Sequence, residues 1–448
     1  MIYAADCMAA RHDADAVRVA ASYSGSATHW ALFDEAEVQA VREARKTVAR
    51  CIGADPEEIF FTHSASEANV WVIKGTAFVA PQNAFFVTSR MGHRSTLNAY
   101  VTIRHRGFPV LFTPTDRYGC VNTKSLDALL SDGAALVSVG CADNVLGTLQ
   151  PVKEIAACVH AHGALFHTDA SMMCGRLPVN VRESGADFVS FSGRKLGTPL
   201  DVGCLYVRKG TPLLPYSCNG SAELGLLAGM ENPAAIAAFA AVLEKRTAAP
   251  AMISLTAVEK AAKEELADLP CRILNAPAHV PGLLTLCFDG DDGEELVGAM
   301  ARRKVRIADC FYRDKGERYL AHELQAAGLT ESEATGTVRV CFGCDATAED
   351  ARKVAAAFRR LLCRTPEEAE RSREKLLKSV RNALPQKPKQ HPWAPDEANE
   401  GKAAPFVSRD IPAILDRLLT ERMWINVPEA SAVQRVAQWE LFSDDESE

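Results

Sequence analysis

Apolar residues recur every three or four positions in DEAEVQAVREARKTVARC, and that spacing predicts an amphipathic helix from Asp34 to about Cys51. Acidic residues open the segment and basic ones close it, as the helix dipole prefers, and Gly53 is placed to end it. Beyond it the period changes. Short apolar or β-branched runs predict strands at Ile59 to Thr62, Ala84 to Thr88, Val110 to Phe112, Ala135 to Gly140, Ala164 to His167, Phe188 to Ser192 and Val202 to Val207. Helical stretches such as Val152 to His162 separate most of them, and this alternation predicts an α/β fold with a mostly parallel, doubly covered sheet.

An alanine-rich helical stretch follows from Pro233 to Leu266, broken near Pro250. It leads into a smaller α+β region, about 268–364, with strands at Gly282 to Phe288 and Val338 to Phe342 and helices at Glu294 to Arg303 and Ala348 to Leu362. Past Thr365 the composition shifts to a charged helix (EEAERSREKLLKSVRNAL) and a Pro/Lys-rich linker around Pro385 to Pro405. A short amphipathic helix, Ile411 to Arg422, and an acidic tail close the chain.

Composition narrows the function classes. The 448 residues are 48% hydrophobic, enough for two packed cores. A net charge of −7 without a face-long basic run argues against nucleic acid as the main partner. The 14 cysteines are scattered, some inside strand-like runs such as Leu286-Cys287-Phe288, so they read as buried free thiols in a reducing compartment. No apolar stretch approaches the roughly 20 residues that span a bilayer, and the N-terminus lacks the pattern of a secretory signal. A soluble cytoplasmic protein is expected.

Two segments carry candidate chemistry. In ALFHTDAS an apolar strand ends and Asp169 stands at its carboxyl end, where open α/β sheets bind ligands. A later strand, DFVSFS, ends in Gly193-Arg194-Lys195, and the spacing allows one crossover between the two. A carboxylate and an amine converging at one sheet edge suit pyridoxal-phosphate (PLP) chemistry, with the Asp keeping the pyridine nitrogen protonated and the Lys forming a Schiff base. Solvated surface positions present the same two residues, so the pair alone leaves both readings open. In FFTHSASEAN a strand ends at Thr62, a loop of small residues follows, and a helix begins near Glu67. Such a loop lets backbone N–H groups approach a phosphate, with Ser66 adding a hydroxyl, although an ordinary N-capped helix has the same pattern.

Order and spacing of these segments resemble the cysteine desulfurase branch of the class V aminotransferase-like, fold-type I PLP enzymes over roughly residues 1–364. The stretches that carry the resemblance are Asn-x-x-Gly-Thr-x-Gln-Pro, His-Thr-Asp-Ala, Ser-Gly-x-Lys and Val-Gly-x-Leu-Tyr-Val-Arg-Lys-Gly, with IGADPEEIFFT, GMENPAAIAAF and TVRVCFG in support. The resemblance implies an N-terminal segment (1–15) packing with the small domain, a large PLP-binding domain (16–250), a small domain (251–364) and an extension (365–448). It also implies that Lys195 carries the cofactor, Asp169 pairs with the ring nitrogen, and His93 stacks over the ring and assists proton transfer. Asn144 then lies near the cofactor oxygen and the substrate. Ala65, Ser66, Ser192 and Arg194 fall on phosphate-side positions, and Arg339 on the arginine that grips the substrate carboxylate. The implied activity is removal of sulfur from L-cysteine to give alanine and an enzyme persulfide, by a homodimer that passes sulfur to an acceptor protein such as those of iron–sulfur cluster assembly.

The chain also departs from the family's pattern. Arg194 replaces a histidine, Met172 a glutamine, and Leu227 and Met230 an arginine and a threonine. No small-residue segment bearing a loop cysteine exists; its region reads VRIADCFYRDKGERYLAHELQAAGL, and Cys310 is the candidate sulfur acceptor there. Arg313 would lower that thiol's pKa and Asp309 would raise it. Cys341 and Cys344 have C-x-x-C spacing, but no second pair stands at zinc spacing, so no metal is expected. Alternatives are another PLP-dependent reaction (a selenocysteine or cystine lyase, or an aminotransferase) and a diverged relative that acts through protein partners.

Overall fold

Parallel strands need long return connections, and the helices that supply them give the chain its layers. The computed structural model describes residues 1–23, 35–217, 222–248, 251–314 and 317–362. A two-residue strand, β1 (Ile2–Tyr3), opens the chain. The next seven form one sheet: β2 (Ile59–Thr62), β3 (Phe85–Ser89), β4 (Val110–Thr113), β5 (Ala134–Ser138), β6 (Leu165–Asp169), β7 (Phe188–Ser192) and β8 (Gly203–Val207). Their spatial order is β2-β8-β7-β6-β5-β3-β4. All run parallel except β8, which is antiparallel to both β2 and β7. The reversal has a simple cause. Residues 193–202, which join β7 to β8, are too few for a crossover helix.

Helices cover the sheet on both faces. Glu35–Ile52 ends at Gly53, whose φ of +76° is a left-handed conformation that favours glycine. Glu35–Ile52 and Pro233–Ala248 enclose one apolar layer containing Phe61, Phe166, Phe191 and Phe239. Ala65–Val79 and Arg94–His105 enclose the other, with Trp71, Phe86, Tyr100 and Phe188. The sequence pattern missed Arg94–His105 because its apolar residues are interleaved with Thr, Asn and Arg.

The second half has its own core. Strands β9 (Arg272–Ile273), β10 (Leu283–Cys287), β12 (Ala308–Asp309) and β15 (Thr337–Cys341) form an antiparallel sheet in the order β12-β15-β10-β9. Leu286, Phe288, Val338, Phe342 and Phe358 fill it, with the Phe288 and Phe358 rings stacked 5.3 Å apart. Strand β1 pairs with β11 (Val305–Arg306), so the N-terminal segment belongs to this half by hydrogen bonding. Strands β13 (Phe311–Asp314) and β14 (Glu317–Leu320) form a separate hairpin. The helices expected near 366–384 and at Ile411 to Arg422, and the acidic tail, lie outside the described residues. Twelve described cysteines are free thiols. No described helix is long and apolar enough to cross a membrane.

One glycine ties the sheet to the cavity edge. A Cβ on Gly203, the first residue of β8, would sit 2.3 Å from the carbonyl carbon of Ser64 and 2.6 Å from the Ala65 nitrogen. Backbone atoms cannot yield cheaply. Gly203→Ala is therefore expected to destabilise the fold by about 1–3 kcal/mol, the usual cost of overpacking. Urea denaturation checks this, and an unchanged midpoint would show that the Thr62–Ala65 turn adapts freely.

Candidate active site

Strands β2, β3, β5, β6 and β7 end at the same edge of the sheet, and the residues just beyond their carboxyl ends line a cavity of about 610 Å³. Strand β6 delivers Asp169, and β7, in register with it, delivers Ser192 and the short helix Gly193–Leu196 that carries Lys195. Strand β3 delivers the turn Met91–His93, and β5 delivers the loop holding Asn144.

The Lys195 amine is enclosed by protein and donates to the backbone carbonyl of Cys7. Burial lowers its pKa, because water no longer solvates the ammonium, while the Cys7 thiol and Asp169 nearby offset part of the effect. Asp169 accepts hydrogen bonds from Asn69 Nδ2 at 2.8 Å and from the backbone N–H of Ser171 at 2.9 Å. Asn69, on the first turns of helix Ala65–Val79, is fully buried and also donates to Ser95 Oγ at 3.0 Å. Ser95 in turn sits 2.8 Å from His93 Nδ1, which also accepts the Ser95 backbone N–H at 3.2 Å. A hydrogen-bonded chain thus links Asp169 to His93 through Asn69 and Ser95. The donors around Nδ1 place the proton of the neutral ring on Nε2.

His93 lines the cavity and caps helix Arg94–His105. Its side chain is exposed to the cavity, but the protein packed around that space desolvates the ring and pushes its pKa down to about 4, with Lys195 adding to the effect and Asp169 opposing it. Beyond it, the turn after β2 brings up the N-terminus of helix Ala65–Val79. The helix begins at Ala65, two residues earlier than the sequence suggested, because Ser64 caps it by accepting the Glu67 N–H. Ala65 and Ser66 therefore present helix-start N–H groups to the cavity, and Ser192 and Arg194 line the same space. Arg194 is held by Asp201 at 2.7 Å, with both side chains exposed.

Asn144 lines the cavity, on a loop pinned by buried Asp143, whose carboxylate accepts the N–H groups of Val145, Leu146 and Thr148. The backbone carbonyl of Asn144 accepts from Arg339 Nη1 at 2.8 Å. Arg339, in the middle of β15, is buried. It also donates to the Asp309 carbonyl and to Met8 Sδ at 3.2 Å, and Met8 itself lines the cavity. The structure thus places the guanidinium behind Met8, one layer back from the open space.

Cys310 is not brought to the cavity. Its thiol is buried among Met91, Val145, Phe311 and Leu320, and burial pushes its pKa up to about 12. Its expected activation by Arg313 is absent: Arg313 bonds Glu294 and Asp309 instead. The hairpin β13–β14 and helix His322–Ala326 hold this region fast. His322 Nε2 bonds the Gly92 carbonyl at 3.0 Å, Tyr312 donates to Glu323 at 2.5 Å, and the Tyr312 and His322 rings stack.

Asn69, Ser95, Ser171 and Met8 were not read from the sequence as site residues. The only signal for Asn69 was its place in the small-residue loop motif, and the others carry none without coordinates. Ser171 Oγ is buried, lines the cavity and has no hydrogen-bond partner. Among the described residues, Cys341 and Cys344 join no group of three potential metal ligands; Asp127, Cys158 and His162 on the outer helices do.

For a ring held as His93 is, the side chain is neutral throughout the physiological range. Long-range ¹H–¹⁵N NMR of the apoprotein should find its titration midpoint near pH 4, with the proton on Nε2 above it. A midpoint near the ordinary 6.5 would mean that water in the cavity solvates the ring fully.

Comparison with known proteins accords with this geometry. The family model for aminotransferase class V matches residues 20–354. The cysteine desulfurase IscS of Dictyoglomus turgidum is 30% identical over 325 residues, covering 69% of this chain and 80% of that protein. IscS of Methanosarcina thermophila is 29% identical over 320 residues, covering 70% and 79%. Among solved structures, a NifS-like protein superposes with a TM-score of 0.75 at 24% identity, covering 81% of this chain and 99% of that one. SspA in complex with cysteine gives a TM-score of 0.66 at 25% identity, covering 76% and 99%. The chain belongs to the class V aminotransferase family, within its cysteine desulfurase branch, and has the α/β fold of fold-type I PLP enzymes.

Proposed function

We propose that the protein is a PLP-dependent enzyme that removes sulfur from L-cysteine, leaving alanine. The observation that carries this reading is the shared cavity edge, where a buried amine, Lys195, and a carboxylate held by two hydrogen bonds, Asp169, meet a helix N-terminus. The residues present fit the cofactor. Lys195 would hold it covalently, Asp169 would face the ring nitrogen, and the N–H groups at Ala65 and Ser66, with Ser192, would face the phosphate. Exposed ion pairs contribute little, so Arg194 can leave Asp201 for a phosphate at small cost. The unpartnered Ser171 hydroxyl offers a polar contact where Met172 has removed one.

Bound PLP supplies an electron sink for negative charge developing on the substrate's α-carbon. The protein's own groups do the rest. Lys195, its pKa lowered by burial, accepts and returns a proton more readily than an exposed lysine would. His93, neutral with its proton on Nε2, is held through Nδ1 by Ser95 and donates a hydrogen bond at Nε2. Arg339 grips the substrate carboxylate once Met8 yields its place on Nη2. Sulfur leaves cysteine as a formally neutral atom taken up by a thiolate, so one acceptor thiol becomes a persulfide for each alanine formed.

The acceptor is where a second reading gains support. Cys310, buried with a high pKa, is a poor nucleophile in this conformation. The geometry favours an acceptor from outside the hairpin, either a small thiol or a partner protein's cysteine.

Both readings are tested with one set of proteins. Wild type with PLP is expected to give the visible absorbance of a lysine-bound cofactor, and Lys195→Ala to lose it. L-cysteine should then yield alanine and, with dithiothreitol, sulfide. Absence of any band at saturating PLP sinks the enzyme reading. Cys310→Ala is expected to retain most sulfide release; a loss of more than about tenfold with the band intact would instead make Cys310 the acceptor and require the hairpin to open.

A further inference from the structure

The proposed chemistry makes no use of the thiol pair that the N-terminal strap forms with β15. The strap crosses from one half of the molecule to the other. Ala4 donates to the Arg306 carbonyl and accepts from the Cys341 N–H, each at 2.8 Å, and Asp6 donates to the Cys341 carbonyl at 3.1 Å. Past Cys7, Ala10 donates to the Arg194 carbonyl at 3.0 Å and Asp13 to the Gly197 carbonyl at 2.8 Å, on either side of Lys195. Cys7 sits at the middle of this bridge. Its carbonyl receives the Lys195 amine, and its thiol lies within hydrogen-bonding reach of the Cys341 thiol in a shared buried cluster.

We propose that Cys7 and Cys341 are a modification site: a thiol pair that closes reversibly to a disulfide and so fixes the strap on β15 beside Lys195. Charge around the pair suits the reaction. Arg176 Nη2 donates to Cys341 Sγ at 3.4 Å, and the cations Arg339 and Lys195 flank Cys7. The hydrogen bond from Cys341, together with those cations, holds the Cys7 thiol down to about 6, whereas burial raises that of Cys341. At neutral pH one member is the nucleophile and the other its proton donor. With hydrogen peroxide as oxidant, the Cys7 thiolate attacks one peroxide oxygen and expels hydroxide, giving a sulfenic acid. The Cys341 sulfur then displaces water from it. Two thiols lose two electrons and two protons, and the peroxide becomes two molecules of water.

The closure has a consequence for Lys195, and this part rests on the proposed role of that residue. The groups facing the amine are Cys7, Cys341, Arg339, Asp169 and His93. A disulfide removes the negative charge at Cys7 that favours the ammonium and leaves Arg339 in place. The lysine's proton affinity therefore falls on oxidation and recovers on reduction.

The test uses the full-length apoprotein, oxidised with stoichiometric hydrogen peroxide, alkylated, digested with trypsin and mapped by mass spectrometry. A peptide ending at Arg11 should appear joined to the peptide that follows Arg339. The link should persist in Cys344→Ser, vanish in Cys341→Ser, and open with dithiothreitol. Cys7 recovered alkylated after the other thiols have oxidised, or joined to a different cysteine, overturns the proposal. The rate of Lys195 modification by an amine-reactive reagent, followed against pH, reads the coupling separately. Its midpoint should move to lower pH in oxidised wild type and stay put in Cys341→Ser treated the same way. A link without that movement refutes the coupling. Because neither readout uses turnover, a failure of the desulfurase reading leaves the test of the thiol pair intact.

Discussion

Everything at the site depends on burying an amine. Lys195 loses its proton more readily where water is kept away, yet an enclosed ammonium without an acceptor would cost several kcal/mol. The fold resolves this with one backbone carbonyl, that of Cys7, delivered by a strap whose hydrogen bonds anchor it in the second half of the molecule. That is why the small antiparallel sheet is part of the active site although it contributes so little of the cavity wall. It fixes the strap and Arg339 together. Gly197 lets the strap pass close, since a Cβ there would lie 2.3 Å from the Arg11 carbonyl oxygen.

Much of this arrangement was legible in the sequence, for identifiable reasons. The buried strands are apolar runs bounded by helices, so the large sheet and its carboxyl edge follow from periodicity, and with them the convergence of Asp169 and Lys195. The reversal of β8 was not legible, because a strand's direction depends on the length and shape of its connection and leaves the apolar pattern unchanged. The sequence pattern also gave no sign of the Asn69–Ser95 relay. Neither residue stands out by type or spacing, and the two meet only because helix Ala65–Val79 packs against the start of Arg94–His105. Hydrogen-bond networks between elements are set by packing, which a one-dimensional pattern does not encode.

The departures at the cofactor-facing positions also read differently in three dimensions. Met172 is buried against the cavity, and beside it stands a serine hydroxyl with no partner, in a position to accept or donate a bond that the methionine cannot. Arg194 keeps a cation at the cavity edge, paired there with the exposed Asp201. A cradle built on helix-start N–H groups is tolerant of such changes, because backbone donors stay in place whatever side chains surround them.

The hairpin β13–β14 carries a different kind of consequence. A mobile loop thiol must travel between the substrate and an outside acceptor, so it needs small neighbours and few anchors. Here the same region is a paired strand turn, fastened to the His93 turn by His322 and braced by Tyr312 against Glu323. Opening it would expose an apolar cluster and break a buried polar network in which Glu323 is pushed up to about 7 by burial. The His322 contact also fastens the Met91–His93 turn at the Gly92 carbonyl, so the anchoring that disfavours a travelling Cys310 reaches the cavity edge as well. Under the proposed function, a hairpin anchored in this way leaves the uptake of sulfur to a thiol that comes to the site from elsewhere.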